Sequence, residues 1–446
     1  MSAAARRAMW SQFLGFGMDA YDMAMVVVLA PVLSKTFASP GLSAAGRFLM
    51  VALLYAATTA ARPLGAFIFG HLADRIGRRS LLIVTISGVG ALSAVCALIP
   101  SPARIGLTSA YTLFMAARVV MGAFFGGEYA VGHAFAIEHA PPAHRGAVGG
   151  FIQSGFPLGY AAASFVVLGA SLLLGEPAMQ DYGWRLMFAT GIAPVAFALY
   201  IRNSLDESPV FAAEPDRSRA AAPPLFALLQ PPALWTFLQV FAFMTGLFLT
   251  DYAVYQFLPA ILQGPGKFGL VSYTFIYGVA LLCAFAGYNL YGRLSDRWGR
   301  RKMTMCYCLC VAVLGVPLYK LLIFAASTRS LALALAAAVM AASFKVAWGI
   351  VPAYLSERFP TRMRSSGVGL GYSAGALVGG GCIVPLVGLL HRLPAFGAIE
   401  GGQELWLSAS CALSLGAVIT FLSLLWSPET KDVDLRAAAP ASSARG

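Results

Sequence analysis

Charge is what this chain has least of: Asp, Glu, Lys and Arg make up 11% of 446 residues, against about a quarter in a soluble domain. So few charges cannot cover a water-soluble globule of this size, and that class is excluded. Acids are scarcest, 19 against 31 Lys and Arg, a formal net charge of +12. In a soluble protein such an excess suggests nucleic acid, but here the cations fall in short clusters between apolar runs, as membrane topology requires. No nucleic-acid partner is expected. The seven cysteines show no ligand spacing, and Cys306, Cys308 and Cys310 point apart on a predicted helix. His71, His133, His139, His144 and His391 are scattered, so neither a metal nor a cofactor is expected. No nucleophile and base cluster at one depth, which argues against an enzyme. About twenty residues follow Trp426, so a sensor with a large output domain is not expected either.

What is abundant is apolar sequence: mean hydropathy is +0.74, and runs of about twenty apolar residues, enough to cross the bilayer core as helices, recur throughout. Spans are predicted near 10–35, 47–69, 81–100, 106–130, 147–174 and 185–202, then near 235–262, 270–291, 303–325, 330–353, 366–390 and 404–426. This gives an all-α membrane protein of twelve transmembrane helices in two six-helix bundles. The expected divisions are an N-terminal bundle (1–202), a linker (203–234) containing the Pro- and Ala-rich stretch, a C-terminal bundle (235–430) and a tail (431–446). The segment after Arg6 and Arg7 is too long for a signal-peptide core and reads as a retained first span. Cations such as Arg75, Arg78, Arg79, Arg145, Arg297, Arg300, Arg301, Arg358 and Arg364 fall on one side. The opposite loops hold only scattered cations such as Lys35, Arg104, Lys267, Arg329 and Arg392. The bias places both termini in the cytoplasm, and a bacterial inner membrane and a monomer are expected.

The halves also repeat one another. GHLADRIGRRS (70–80) returns as GRLSDRWGRRK (292–302), with Gly70, Asp74, Arg75, Gly77, Arg78 and Arg79 matched by Gly292, Asp296, Arg297, Gly299, Arg300 and Arg301. Glu138, Pro141 and Arg145 match Glu357, Pro360 and Arg364, and LDESP (205–209) has a counterpart in WSPET (426–430). Such internal duplication is how many transporters are built.

These motifs resemble the major facilitator superfamily, over essentially the whole chain. Within it ARPLGAFIFGHLADRIGRR, RVVMGAFFGGEY, EHAPPAHRG and ERFPTRMRSSG look like the metabolite:proton symporters, with the sialate and lactate carriers close. The resemblance implies a transporter with protons as coupling ion, taking carboxylates such as citrate, oxoglutarate and shikimate, or zwitterions such as proline and betaine. The relatives often carry Glu where this chain has Asp19, before Tyr21-Asp22, so no single relative's substrate can be copied.

Asp74 and Asp296 are expected to accept hydrogen bonds from a neighbouring helix N-terminus or to pair across the halves as conformational latches, with Arg75, Arg78 and Arg79 anchored at anionic lipid. Glu138, Arg145, Glu357 and Arg364 join the same gating set. Each charge at a helix centre costs roughly 2.5–3.5 kcal/mol on insertion scales, so intramembrane charges are functional candidates. Asp22 and Arg118 each lie about 18 Å along their helices from opposite faces. In the resembling symporters an Asp of the first helix faces an Arg of the fourth. Burial disfavours the charged carboxylate and the guanidinium favours it, so Asp22 becomes the proton-coupling candidate; a permanent structural bridge is the alternative. Asp19 is a second proton candidate or faces water. Arg62 would pair with Asp19, meet a substrate carboxylate or anchor helix packing, and Glu128 would form a gating ion pair near the cytoplasmic end of its helix. Lys345 is a candidate carboxylate anchor or a snorkelling cation. Asp251, Gln153, Tyr255 and Tyr372 complete the substrate candidates. Counted from assumed span starts, Asp251 and Lys345 lie about 24 and 22 Å from opposite faces, so they are not obviously level and no pairing is assigned to them. Gly155 and Gly159 are expected to allow close helix contact. The expected function is import of a small organic anion by proton symport through alternating access. A zwitterionic osmolyte or sugar, or proton antiport, is the alternative.

Overall fold

Twelve helical rods account for the predicted spans, and no strand occurs among the described residues, which in this computed structural model are 1–39, 41–42, 44–203, 207, 227–255, 257–263, 266–394 and 406–435. Hydrocarbon offers no water to backbone N–H and C=O groups, so helices that satisfy them internally are favoured. The first rod, α1 (Ala3–Val28), starts with the Ser2 hydroxyl accepting the Ala5 N–H at 3.1 Å. It bends by 59° into Ala30–Phe37, where Pro31 removes a backbone donor. Then follow α2 (Ala44–Ile76), α3 (Arg79–Leu98), α4 (Leu107–His139), α5 (Arg145–Ala178) and α6 in two pieces, Trp184–Thr190 and Ile192–Asn203.

The second half repeats the order. It comprises α7 (Ala233–Tyr255, extended by Leu258–Gln263), α8 (Leu270–Trp298), α9 (Arg300–Ser327) and α10, whose Leu331–Ala342 passes through a 3-10 stretch, Ser343–Ile350, into Val351–Arg358. α11 (Arg364–Gly375) continues through a π turn to Ile383–His391, and α12 is Trp406–Leu425. Nine rods among the described residues are individually long and apolar enough to cross a bilayer, ten with bent α1. The other two are α2, which carries Arg47, Arg62, Asp74 and Arg75, and the broken α6. Several helices outrun their predicted spans at the arginine-rich end because the charges there are held by partners. The expected linker and the tail beyond 435 fall mostly outside the described residues.

The halves meet along α5–α8 and α2–α11. Leu98, Leu173, Val313 and Trp426 are exposed on the outside, as a lipid-facing surface requires. Within the first half, α1 and α5 approach so closely that a Cβ on Gly155 or Gly159 would strike the backbone of Phe13 or Gly17. By contrast a Cβ on Gly169, further along α5, meets nothing. Gly159→Ala is therefore expected to lower the melting temperature of the purified protein, whereas Gly169→Ala leaves it unchanged or raises stability by up to about 1 kcal/mol through helix propensity. Equal melting shifts would contradict this packing.

Candidate functional site

The repeated motif forms a pair of crossed contacts. Gly77 and Gly299 have φ of 106° and 95°, the left-handed region open to glycine, so each can turn the chain sharply between two helices. The turn leaves Asp74 at the end of α2 facing the other half, where it accepts from the Ser365 and Ser366 N–H groups at 3.1 and 2.9 Å and from the Ser366 hydroxyl at 2.8 Å. Asp296 on α8 reciprocates, accepting from the Gly146 and Ala147 N–H groups at 2.8 Å each. Each carboxylate thus caps the N-terminus of a helix, α11 or α5, in the opposite half. Glu138 binds both Arg78 of its own half and Arg364 of the other. Arg300 pairs with Asp296 at 2.9 Å and Glu357 at 3.3 Å, and Arg145 donates to the Val433 carbonyl.

Arg78 corrects one expectation. It is fully buried rather than at the lipid surface, with Nε donating to the Ser365 hydroxyl at 3.1 Å; burial brings its guanidinium down to about 10, which leaves it charged at neutral pH. Arg75, Arg79 and Arg297 are exposed. The motif pair LDESP and WSPET has a role that spacing did not disclose. Glu207 accepts from the N–H groups of Arg78 and Arg79 at 3.0 and 3.3 Å, and Glu429 from those of Arg300 and Arg301 at 2.7 and 3.1 Å, capping α3 and α9.

Inside the first bundle Asp22 and Arg118 form an ion pair, both buried. Ser93 donates to the second Asp22 oxygen at 2.9 Å, and Arg118 Nε donates to Thr58 Oγ1 at 3.1 Å. Asp19 does not face water: it is 1% exposed, and its Oδ1 has no hydrogen-bond partner. Nor does it bond to Arg62, whose Nη2 contacts Met23 Sδ at 2.7 Å. Glu128 forms an ion pair, as expected. It pairs with Arg202 of α6 and accepts from Thr85 of α3 at 2.8 Å, so it ties one bundle together and does not bridge the halves.

Between the halves lies a pocket lined by Arg62, Gln153, Asp251, Lys345 and Tyr372, joined by Phe156, Phe248, Tyr252, Tyr288 and Trp348. Asp251 and Lys345 are paired at 2.6 Å, a pairing that the depth count does not assign. Tyr255 does not line the pocket; its ring supports Lys345, with Nζ 4.0 Å from the centroid. Arg62 is buried over the Phe125 ring at 5.6 Å, and no acid pairs with it among the described residues. Arg62 Nε, Gln153 Oε1, Tyr255 Oη and Trp348 Nε1 are buried without partners, an arrangement that invites a polar ligand. On two sides the pocket is shut by tyrosines reaching across the halves. Tyr129 stacks on Tyr372 with centroids 3.4 Å apart, and the hydroxyls of Tyr55 and Tyr252 meet at 3.0 Å.

Comparison with known proteins agrees with this architecture. The sequence profile of the Major Facilitator Superfamily matches residues 12–385. A Haemophilus influenzae protein named "Putative metabolite transport protein" is 32% identical over 387 residues, 84% of this chain and 85% of its own. The glycine betaine/proline/ectoine/pipecolic acid transporter OusA of Dickeya dadantii is 28% identical, covering 98% of this chain and 86% of its own. Among solved structures the proton:xylose symporter XylE, bound to 6-bromo-6-deoxy-D-glucose, superposes with a TM-score of 0.78 over 98% of both chains. At 17% identity that likeness is one of fold. The duplicated helices, the crossed acid contacts and the central pocket are thus those of a multi-pass membrane transporter, and the chain belongs to the Major Facilitator Superfamily.

Proposed function

We propose that this transporter imports a small organic acid anion together with protons, by alternating access, across a bacterial inner membrane with both termini in the cytoplasm. The observation that carries the reading is the charge of the pocket: two buried cations, Arg62 and Lys345, face it with a single acid, Asp251. A carboxylate satisfies Arg62, and its oxygens accept from the free Arg62 Nε and Trp348 Nε1. Proton symport suits the energetics, since with the inside negative each uncompensated anionic charge costs about 2.3 kcal/mol per 100 mV to bring in. Protonation of Asp22 would free Arg118 and shift the balance between outward- and inward-open states. The likeness to OusA favours a second reading, a zwitterion whose carboxylate binds Arg62 while its cationic end faces Asp251.

Uptake into proteoliposomes under an imposed pH gradient separates the readings. Lactate, succinate, citrate or shikimate is expected to accumulate in preference to glycine betaine, proline or xylose; accumulation of betaine or sugar alone would overturn the anion assignment. Asp22→Asn is expected to abolish pH-driven accumulation of the transported compound while sparing exchange of internal for external substrate. Loss of both activities, or of neither, would count against Asp22 as the coupling acid. For the gate, Asp296→Asn is expected to raise maleimide labelling of Ser295→Cys, a buried position between α5 and α8, by about tenfold, the equivalent of ~1.4 kcal/mol. Quantifying that one peptide by mass spectrometry excludes the native cysteines, and unchanged labelling would show that the carboxylate does not hold this end closed.

A further inference from the structure

Each half carries a buried acid on its first helix and a base on its fourth. The pairs are Asp22 of α1 with Arg118 of α4, and Asp251 of α7 with Lys345 of α10. Their surroundings differ in a way that assigns different work. Asp22 is held from two sides, by Arg118 and by the Ser93 hydroxyl, and neither member of that pair lines the pocket. Asp251 and Lys345 both line it, and no donor other than Lys345 reaches the Asp251 carboxylate among the described residues. Lys345 sits on the 3-10 stretch Ser343–Ile350, where backbone hydrogen bonding is weaker and repositioning is easier than in an α-helix.

We propose that the substrate anion, held by Arg62, also replaces Asp251 as the counter-ion of Lys345, and that Asp251 takes up one proton from the water of the open cavity as it is displaced. The proposal rests on the anion reading above. Before binding, the pair is Lys345 cation and Asp251 carboxylate; afterwards it is Lys345 cation, substrate anion and neutral Asp251, so the charge of the pocket is unchanged. A buried carboxylate stripped of its donor is far costlier charged than protonated, so the exchange and the proton are linked. The groups facing Asp251 leave it as the acceptor. Tyr252 and Tyr255 approach from its own helix, Tyr277 and Tyr288 from α8, Tyr307 from α9 and Tyr372 from α11. These phenols already hold their protons at neutral pH. Lys345 and Arg62 are cations. The pair is thus a second proton-coupling site, separate from Asp22, and the substrate is the group that opens it.

The sign of the pH dependence distinguishes substrate classes. An anion needs Asp251 neutral, so its affinity tightens as pH falls, by up to about tenfold per unit for one linked proton. A betaine needs Asp251 charged, so its affinity weakens. The test is calorimetric titration of the purified full-length protein with lactate, succinate, citrate and glycine betaine, in buffers of different ionisation enthalpy. The expected result is that an acid binds with uptake of about one proton. A protonated-carboxyl band is expected in the infrared difference spectrum on binding, and Asp251→Asn should bind the same acid with no proton uptake and a flat pH profile. An acid that binds without proton uptake, or with uptake unchanged in Asp251→Asn, would overturn the exchange while leaving the anion reading standing. Binding of betaine alone would overturn both. The buffer series and the infrared band need only the wild-type protein, so a variant that fails to fold does not remove the test.

Discussion

A charge inside hydrocarbon must find a partner, and most of this molecule can be read as the working out of that requirement. The ionised groups within the bundles occur as Asp22 with Arg118, Glu128 with Arg202, and Asp251 with Lys345. At the arginine-rich end Asp74, Arg78, Glu138 and Arg364 form one chain of opposite charges, and Asp296, Arg300 and Glu357 another. Buried ion pairs add little net stability over apolar packing, while removal of one partner is strongly destabilising. Such pairs are therefore poor glue and good switches. Among the described residues two buried groups depart from the rule: Arg62 has no acid partner and Asp19 has an unsatisfied oxygen. The first lies in the pocket, where a ligand can supply what is missing.

The two closures of the pocket use different physics. At the arginine-rich end, carboxylates of one half cap helices of the other, and these directional bonds form only at one relative position of the bundles. Nearer the pocket, tyrosine rings and hydroxyls meet across the halves, contacts that tolerate sliding. Glycines bring α5 and α8 to backbone contact at Gly146, Gly150 and Gly292, leaving few interlocking side chains to resist motion there. In the proposed cycle the directional bonds set the end states and the smooth interfaces let the bundles pass between them.

Repetition made the gate legible in the sequence. Asp74 and Asp296 stood out because an acid and its glycine recurred in register, and the positive φ of Gly77 and Gly299 supplies the reason. Asp22 and Arg118 were accessible through equal depth counts. The depth count does not disclose the pairing of Asp251 and Lys345, because it rests on assumed span starts. Arg78 was assigned to lipid because sequence pattern shows a cluster of cations without showing which one turns inward. The ion pair of Glu128 is expected from its place in the helix, but that place does not name Arg202, because position along a helix does not reveal which neighbour the side chain faces. Nor could the matching of LDESP and WSPET disclose that Glu207 and Glu429 cap helices, since the partners are backbone groups that have no sequence signature.

The central claim, that anion and proton travel together, is tested most directly by loading proteoliposomes with a trapped pH dye, clamping the voltage with potassium and valinomycin, and imposing an inward gradient of the transported acid without a pH gradient. The proposed cycle predicts acidification of the lumen at a rate proportional to anion uptake and absent from protein-free liposomes. Uptake of the anion with no change in lumenal pH, or with alkalinisation, would contradict it.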